Sequence, residues 1–383
     1  MKSNHLNYID ALRGYAILLV MMVHLSQFCP VWQGWGRQLI NQGAKGVQLF
    51  FVASAFTLML SWQNRNDGAI NFYIRRLFRI VPMFWLAIIF FVLIDGYGPR
   101  YFAPKGITNH TVFLTALFAN GWHPETISSV VPGGWSIVVE MTFYLVFPLL
   151  MLLIKNLRSA LIFFVVANGI AYNSYIFFWK YHAFYWPGVS DDVVGALLAL
   201  WFPNQLPVFA SGFILFFMIR DFKAYLQKKW IMALLALSLT CMVILVFYPE
   251  LKILHKLRMN TFSAYGVCFG IFAYCLSEYP MIWLVNPLIC YLGKISYSAY
   301  LCHFVVLGIL TYYANRSINL LHLYDPLHGF PHFLIKLPFF VLIITVFSTI
   351  TYRLIEKPMI RAGNLLIKRL EARKNSEPVT VSA

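Results

Sequence analysis

Long apolar runs alternate with short polar segments along the whole chain. Several runs approach the roughly 20 residues that a helix needs to cross a bilayer. Within lipid every backbone polar group must be hydrogen-bonded internally, so such runs form helices. The pattern predicts an all-α, polytopic membrane protein with about ten transmembrane helices. The predicted spans are 9–29, 45–62, 78–95, 134–154, 159–178, 206–219, 230–248, 261–277, 294–315 and 334–355.

The sidedness follows from the basic residues. An even number of spans puts both termini on one side, and nineteen of the 30 Lys and Arg residues fall on that side, against ten on the other. Because Lys and Arg concentrate in cytoplasmic loops, we expect cytoplasmic N- and C-termini. The basic segment 249–260 is the exception, since it falls outside. We expect residues 1–360 to form one transmembrane domain and 361–383 a basic cytoplasmic tail.

Composition agrees with a membrane protein and narrows its chemistry. The chain is 60% hydrophobic and 11% charged, whereas a soluble protein carries about 25% charged residues. The net charge of +16 fits basic cytoplasmic loops, and no basic run is interleaved with aromatic residues on a soluble module, so a nucleic-acid partner is not expected. The six cysteines lack metal-site or C-x-x-C spacing, so we predict neither a bound metal nor a disulfide framework.

The first span, IDALRGYAILLVMMVHLSQF, contains three ionisable residues, Asp10, Arg13 and His24. Arg13 and His24 are eleven positions apart. On a helix this separation is a rotation of three full turns plus about 20° and a rise of about 16 Å, so Arg13 and His24, with Asp10 one turn before them, lie on one face. His24 then lies near mid-depth, where a titratable side chain faces a cavity or a partner. Histidine titrates near neutral pH and suits proton transfer. The alternative is a histidine that only bonds neighbouring helices.

The fourth span opens with GGWSIVVEMTFYLVFP. Ser136, Glu140 and Tyr144 recur at intervals of four residues and form one stripe of the helix. A buried carboxylate needs a partner to stay charged, and a histidine or an arginine is the natural one. The stripe therefore predicts either a catalytic carboxylate or a structural ion pair.

Three arginines, Arg75, Arg76 and Arg79, lie within one turn at the start of the third span. Guanidinium groups match phosphate oxygens in bidentate geometry, so the cluster suits a phosphorylated donor that arrives from the cytoplasm. The alternative is plain anchoring by positive residues at the cytoplasmic boundary.

Two further groups of residues are candidates for contact with a substrate. In LGKISYSAYLCH, Ser296, Tyr300 and His303 share one helical face, where they either line a site or bond neighbouring helices. In the longest outer loop, Trp122 and Trp135 are placed either to stack on a sugar or to anchor the chain at the membrane boundary.

Five of these segments, in this order and at this spacing, resemble the acyltransferase-3 family of membrane acyltransferases. The segments are DALRGYAILLVMMVH (10–24), GVQLFFVASAF (46–56), RRLFRIVP (75–82), WSIVVEMTFYLVFP (135–148) and LGKISYSAYLCH (292–303). The resemblance implies an O-acyltransferase of a bacterial inner membrane that moves an acyl group, commonly acetyl from acetyl-CoA, to a hydroxyl of a glycan. Lipopolysaccharide O-antigen and other surface polysaccharides are acceptors of this kind.

The resemblance also implies roles for individual residues. Arg13 and His24 match the pair that family members need for activity, Arg76 and Arg79 match the donor-associated R-x-x-R, and Glu140 matches the glutamate after W-S. Two positions depart from the family pattern: Gln48 replaces an acid and Ala55 replaces a glycine.

We therefore expect His24 to act as the general base, with Glu140 orienting it, Arg13 and Asp10 on the same helix completing the catalytic set, and acetyl-CoA as the acyl donor. A covalent acyl-histidine is an open alternative route. The rival function is a proton-coupled transporter of a glycan or lipid, because intramembrane His and Glu suit that class too. Two matching halves, which transporters often show, are not visible in the sequence.

Overall fold

The structure, a computed structural model, describes residues 7–27, 34–65, 67–222, 226–316 and 330–376. Throughout these ranges the secondary structure is helical apart from turns and one isolated bridge between Arg100 and Ala103. The α-helices are α1 (Asn7–Gln27), α2 (Trp35–Asn41), α3 (Gly46–Arg65), α4 (Gly68–Asp95), α5 (Asn109–Ala116), α6 (Trp135–Leu153), α7 (Leu157–Lys180), α8 (His182–Tyr185), α9 (Asp191–Leu200), α10 (Phe202–Asp221), α11 (Lys228–Phe247), α12 (Lys252–Lys256), α13 (Thr261–Glu278), α14 (Pro287–Lys294), α15 (Ser296–Arg316), α16 (Phe330–Thr351) and α17 (Lys357–Ser376).

The predicted class, an all-α polytopic membrane protein, is confirmed. Within the described ranges, eight helical stretches are long and apolar enough to cross a membrane, and α14 with α15 forms a ninth that bends by 79°. The predicted span 261–277 is present as the 18-residue helix α13, but it does not pass the same test. Serine, tyrosine and a terminal glutamate lower its hydropathy, and its side chains are largely buried against neighbouring helices. The sidedness of the termini stays a prediction.

Two helix boundaries differ from the sequence expectation. Helix α4 begins at Gly68, ten residues before the predicted span, because its polar first turns continue the helix beyond the apolar run. At the other end of the chain, α16 passes through a π-helical segment, Tyr352–Glu356, directly into α17. Helix α17 crosses the predicted domain boundary at 360 and packs against α4, where Asn71 Nδ2 donates to Glu371 Oε1 at 2.9 Å. The boundary itself stays a prediction.

Helix α1 is the central element of the bundle. It packs against α3, α13, α14, α15 and α16, and Leu12, Ala16, Ile17 and Met21 on it are almost fully buried. Its closest approach is to α14, where a Cβ atom on Gly293 would overlap the carbonyl group of Asp10. Glycine at this position lets two backbones touch and fixes the height of Asp10 and Arg13 relative to the α14–α15 bend.

We expect Gly293→Ala to destabilise the protein. The added methyl group has no room against the Asp10 backbone, and overpacking of this kind costs about 1–3 kcal/mol. Thermal unfolding in detergent measures the effect as a lower Tm. The matched control is Gly308→Ala on α15, where a Cβ atom meets nothing within 4 Å. Equal Tm values for the two variants would contradict the tight α1–α14 contact.

Candidate functional site

A polar cavity lies between α1, α3, α4, α6 and α15. Its volume is about 70 Å³. Apolar residues of α3 and α4 complete its walls. The polar side chains that line it are Arg13, Ser54, Thr57, Arg76, Arg79, Ser136, Glu140, Tyr144, Ser296, Tyr297 and Tyr300. We call it the arginine cavity.

Three guanidinium groups give the arginine cavity its charge. Arg13 donates from Nη2 to Thr57 Oγ1 at 3.0 Å, and the Arg76 guanidinium lies 5.7 Å from the ring centres of both Phe72 and Tyr144. Among the described residues, no carboxylate oxygen lies within 4.0 Å of a nitrogen of Arg13, Arg76 or Arg79. Cations packed in an apolar bundle without a contact ion pair form a site that favours an anion.

Arg75, the third arginine of the sequence cluster, is placed elsewhere. It forms a bidentate ion pair with Asp67, just before the start of α4, with Nη2 2.8 Å from Oδ1. Neighbouring residues of a helix differ by about 100° in direction, so Arg75 turns away as Arg76 turns toward the cavity. The structure thus separates Arg75 from the pair Arg76 and Arg79.

Glu140 is held within the wall of the cavity. Its Oε1 atom accepts hydrogen bonds from Ser54 Oγ at 2.6 Å and from the Tyr144 hydroxyl at 2.5 Å. The stripe of Ser136, Glu140 and Tyr144 along α6 therefore does face one space, as its spacing suggested. Ser54 and Thr57 on α3 were not singled out from the sequence, because small hydroxyl residues in an apolar run carry no distinctive pattern.

His24 pairs with another histidine. Its Nδ1 atom lies 3.0 Å from Nε2 of His303 on α15, and the Phe304 ring packs against both imidazoles. The expected contact between Glu140 and His24 is absent from the described contacts, so that part of the prediction is corrected. Glu140 lies on α6 and is committed to Ser54 and Tyr144, whereas the face of α1 that carries His24 meets α15.

Tyr300 joins the histidine pair to the arginine cavity. It lines the cavity, its ring centre lies 5.5 Å from that of His303, and its hydroxyl accepts from Ser136 Oγ at 2.8 Å. The same hydroxyl donates to the Gly133 carbonyl at 3.0 Å. Gly133 has a φ of 71°, and a Cβ atom there would lie 2.8 Å from the Phe304 ring, so only glycine fits beside the pair.

The remaining sequence candidates lie around this core rather than in it. Asp10 packs beside α14, Trp135 lies edge-on to Phe51 with 6.2 Å between ring centres, and neither lines the cavity. Trp122 is half exposed in a separate aromatic group, 6.4 Å from the Trp201 ring centre. Ser296 lines the cavity at the start of α15.

Glu356 is a buried carboxylate that sequence reasoning missed. It ends the π-helical segment, is 2% exposed and accepts a hydrogen bond from Ser298 Oγ at 2.8 Å. Glu356 also attracts the Arg79 guanidinium electrostatically. Its signal in the sequence is the acid in RLIEKP, set at the end of an apolar span between cations. π-Helical segments of this kind are frequent at functional sites.

Metal ligands and disulfides are not evident in the part of the chain that the structure describes. No group of three or more His, Cys, Asp or Glu side chains is arranged there to hold a metal ion. The five cysteines within the described ranges are free thiols, and Cys29 lies outside the described residues.

Comparison with known proteins identifies the chain. A family profile described as "Acyltransferase domain" matches residues 6–353. The chain belongs to the acyltransferase-3 family. This family match covers all five segments that carried the resemblance, and the chain thus contains an acyltransferase domain that spans the helical bundle.

Relatives of the family extend over bacteria and a virus. A Staphylococcus aureus (strain MRSA252) protein named "Putative O-acetyltransferase" is 24% identical in an alignment 419 positions long, which covers 98% of this chain and 60% of that protein. The chain thus spans three fifths of the length of that relative. The exopolysaccharide production protein ExoZ of Rhizobium meliloti is 28% identical in an alignment that covers 45% of this chain and 56% of ExoZ. A "Putative acetyltransferase" of Acidianus two-tailed virus is 24% identical in an alignment that covers 81% of this chain and 86% of the viral protein. No solved structure matches the chain.

The two departures from the family pattern have structural counterparts on α10. Gln48 Nε2 donates to Gln205 Oε1 at 2.9 Å, and both amides are almost fully buried, so position 48 belongs to a neutral, hydrogen-bonded pair. Ala55 is fully buried against Gly212. A Cβ atom on Gly212 would lie 2.6 Å from Cβ of Ala55, so the glycine on α10 makes room for the alanine on α3.

We expect Gly212→Ala to lower stability and Ala55→Gly to restore part of it in the double variant. Removing the Ala55 methyl relieves one overlap, while the overlap with the Val52 carbonyl, also at 2.6 Å, stays. A double-mutant cycle on Tm or on the free energy of unfolding should give a coupling of about 0.5–3 kcal/mol. Strictly additive effects would show that the two positions do not share this contact.

Proposed function

We propose that this protein transfers an acetyl group from acetyl-CoA to a hydroxyl of a glycan, in a bacterial inner membrane. The donor approaches from the cytoplasmic side, and the acceptor from the opposite side. The observation that carries the proposal is the arginine cavity: three cations without a carboxylate contact face one space, and an imidazole pair adjoins it through Tyr300.

Arg76 and Arg79 bind the phosphates of the donor. Both guanidinium groups line the arginine cavity, and Arg76 has a buried Nε atom without a hydrogen-bond partner among the described residues. A phosphate oxygen satisfies such a donor and neutralises the charge, and guanidinium–phosphate pairs are strong because they are charge-assisted and bidentate. Arg13, tethered to Thr57, adds positive charge at the same wall.

His24 acts as the general base. It removes the proton from the acceptor hydroxyl, and the resulting oxygen nucleophile attacks the thioester carbonyl. The C–S bond then breaks, so the acyl group stays on the acceptor oxygen and the thiol form of coenzyme A leaves after taking up a proton. A base whose ordinary pKa lies near neutrality suits this role.

Glu140 and Arg13 set the electrostatics of the site. Glu140 is fixed by two hydroxyl donors, so it supplies a stationary negative charge opposite the arginines. The Glu140 carboxylate offsets part of the positive charge of the three arginines. Because it forms no contact ion pair with them, the guanidinium groups can still bind an anion.

The acceptor class is supported by the relatives. Two of them carry the names "Putative O-acetyltransferase" and "Putative acetyltransferase", and one is named as an exopolysaccharide production protein. A surface polysaccharide or its membrane-bound precursor, lipopolysaccharide O-antigen included, is therefore the acceptor that we propose for this chain.

One prediction of this proposal concerns binding of the acetyl-CoA donor. We expect the double variant Arg76→Ala/Arg79→Ala to raise the KM for acetyl-CoA about a hundredfold or more, because each charged hydrogen bond contributes about 1.5–3 kcal/mol. Steady-state acetyl transfer by purified protein gives the value. Arg75→Ala is the matched control, since Arg75 pairs with Asp67 outside the cavity. An unchanged KM in the double variant, or an equal rise in the control, would contradict the assignment.

Another prediction concerns His24, the proposed general base. We expect His24→Ala to lower kcat by about 10²–10⁴-fold, the usual contribution of a positioned general base, while the KM for acetyl-CoA changes little. The same assay compares it with His255→Ala, an exposed histidine on α12 far along the chain. Near-normal turnover by His24→Ala would remove the central role of this residue.

A further inference from the structure

We infer that His303 is a positioning residue, and that it fixes the tautomer in which His24 can act as a base. This inference rests on the proposed function, because it assigns how the base of that reaction is prepared. It replaces the role that sequence reasoning gave to Glu140, and it moves His303 from the substrate-lining group to a place behind the base.

The geometry of the pair is well defined. His24 Nδ1 and His303 Nε2 are 3.0 Å apart, a hydrogen-bond distance, and the ring planes differ by 31°. His303 is completely buried, whereas His24 is partly exposed. Phe304 packs on both rings, with ring centres 4.5 Å from His24 and 4.1 Å from His303. His303 is thus shielded from a substrate, and His24 is the more exposed member of the pair.

The position of the proton in the hydrogen bond between the two rings decides whether His24 can accept a second proton on Nε2. A neutral imidazole carries one N–H, so exactly one ring donates across the 3.0 Å contact. If His303 donates from Nε2, the His24 proton lies on its Nε2 atom and that atom cannot take up a proton. If His24 donates from Nδ1, its Nε2 atom keeps a lone pair and is a competent base, and the His303 proton then lies on Nδ1.

The surroundings of both rings favour the second arrangement. The backbone groups that interact with the His303 ring are the carbonyls of Ala299 and Tyr300, which attract an N–H and repel a lone pair. His303 Nδ1 has no partner in hydrogen-bond geometry among the described residues, so these carbonyls are its electrostatic environment. The Val20 carbonyl acts in the same way on the His24 ring. These carbonyls belong to residues three or four positions before each histidine, and Nδ1 is the ring nitrogen nearer the backbone. They therefore favour a proton on Nδ1 of each ring.

A neutral acceptor suits this depth in a membrane protein. An aspartate in the place of His303 would bring an additional buried charge, which is costly in an apolar bundle, whereas imidazole nitrogen accepts the same hydrogen bond without one. When His24 takes up the hydroxyl proton on Nε2, its Nδ1–H becomes a charge-assisted donor to His303, and the hydrogen bond strengthens at the moment when positive charge develops.

The tautomer can be observed without turnover. We expect the ¹⁵N spectrum of histidine-labelled protein, at a pH where both rings are neutral, to show a protonated Nδ1 and an unprotonated Nε2 for His24. Assignment uses the signals lost in His24→Gln and His303→Gln. A His24 ring protonated on Nε2 in the resting protein would overturn the inference.

Two substitutions separate positioning from packing. We expect His303→Leu, which removes the acceptor, to lower kcat about a hundredfold or more while the KM for acetyl-CoA stays unchanged, because the base then populates the wrong tautomer. We expect His303→Gln, whose side-chain oxygen accepts from His24, to recover turnover to within about tenfold of the wild type. The exposed His255→Leu serves as the control for loss of a histidine.

The outcomes distinguish this inference from the proposed function. If the wild type transfers acetyl and His303→Leu keeps its kcat, the positioning role is wrong while the proposed function stands. Equal losses in His303→Leu and His303→Gln, with both proteins folded, would likewise reject it. If the wild type transfers no acetyl and the spectrum shows the expected tautomer, the proposed function fails and the tautomer assignment stands. If His303→Leu does not fold, the wild-type spectrum alone decides the matter.

Discussion

The structure depends on how an apolar helical bundle holds three arginines around one space. Arg13, Arg76 and Arg79 come from two helices and face the arginine cavity without a carboxylate within 4.0 Å among the described residues. Charges removed from water are costly unless they are compensated, and an anion that enters the cavity offsets that cost. The fixed carboxylates of Glu140, which lines the cavity, and Glu356, which does not, offset part of the repulsion between the arginines. Neither forms a contact ion pair with them, so the guanidinium groups stay available for an anion.

The irregular helix segments serve this arrangement. The 79° bend between α14 and α15 allows Ser296 and Tyr300 to enter the cavity from one side, and the π-helical segment before α17 turns Glu356 inward toward Ser298. Glycine sets the helix spacing where helices meet closely, as at Gly293 against α1 and Gly212 against α3. Such breaks are expensive in lipid and persist where surrounding protein satisfies the backbone.

Much of the fold could be predicted from the sequence because most of the long helices are marked by their apolar length. The helical stripe of Glu140 and the shared face of Arg13 and His24 also follow from helix periodicity. Contacts between side chains of different helices do not follow from periodicity, because periodicity does not specify how each helix is rotated or which helices are its neighbours. That is why Glu140 was expected beside His24 and instead contacts Ser54, why His303 was taken for a substrate contact, and why Glu356 was overlooked. The π-helical turn that buries Glu356 has no marker in apolar periodicity.

The most direct test of the central claim is a cryo-electron microscopy structure of the protein with a hydrolysis-resistant acetyl-CoA analogue. The account predicts phosphate density against the guanidinium groups of Arg76 and Arg79, with the acyl end of the analogue beyond Tyr300 and within reach of Nε2 of His24. Phosphates bound at Arg75 or outside the bundle, or an acyl end remote from His24, would contradict it.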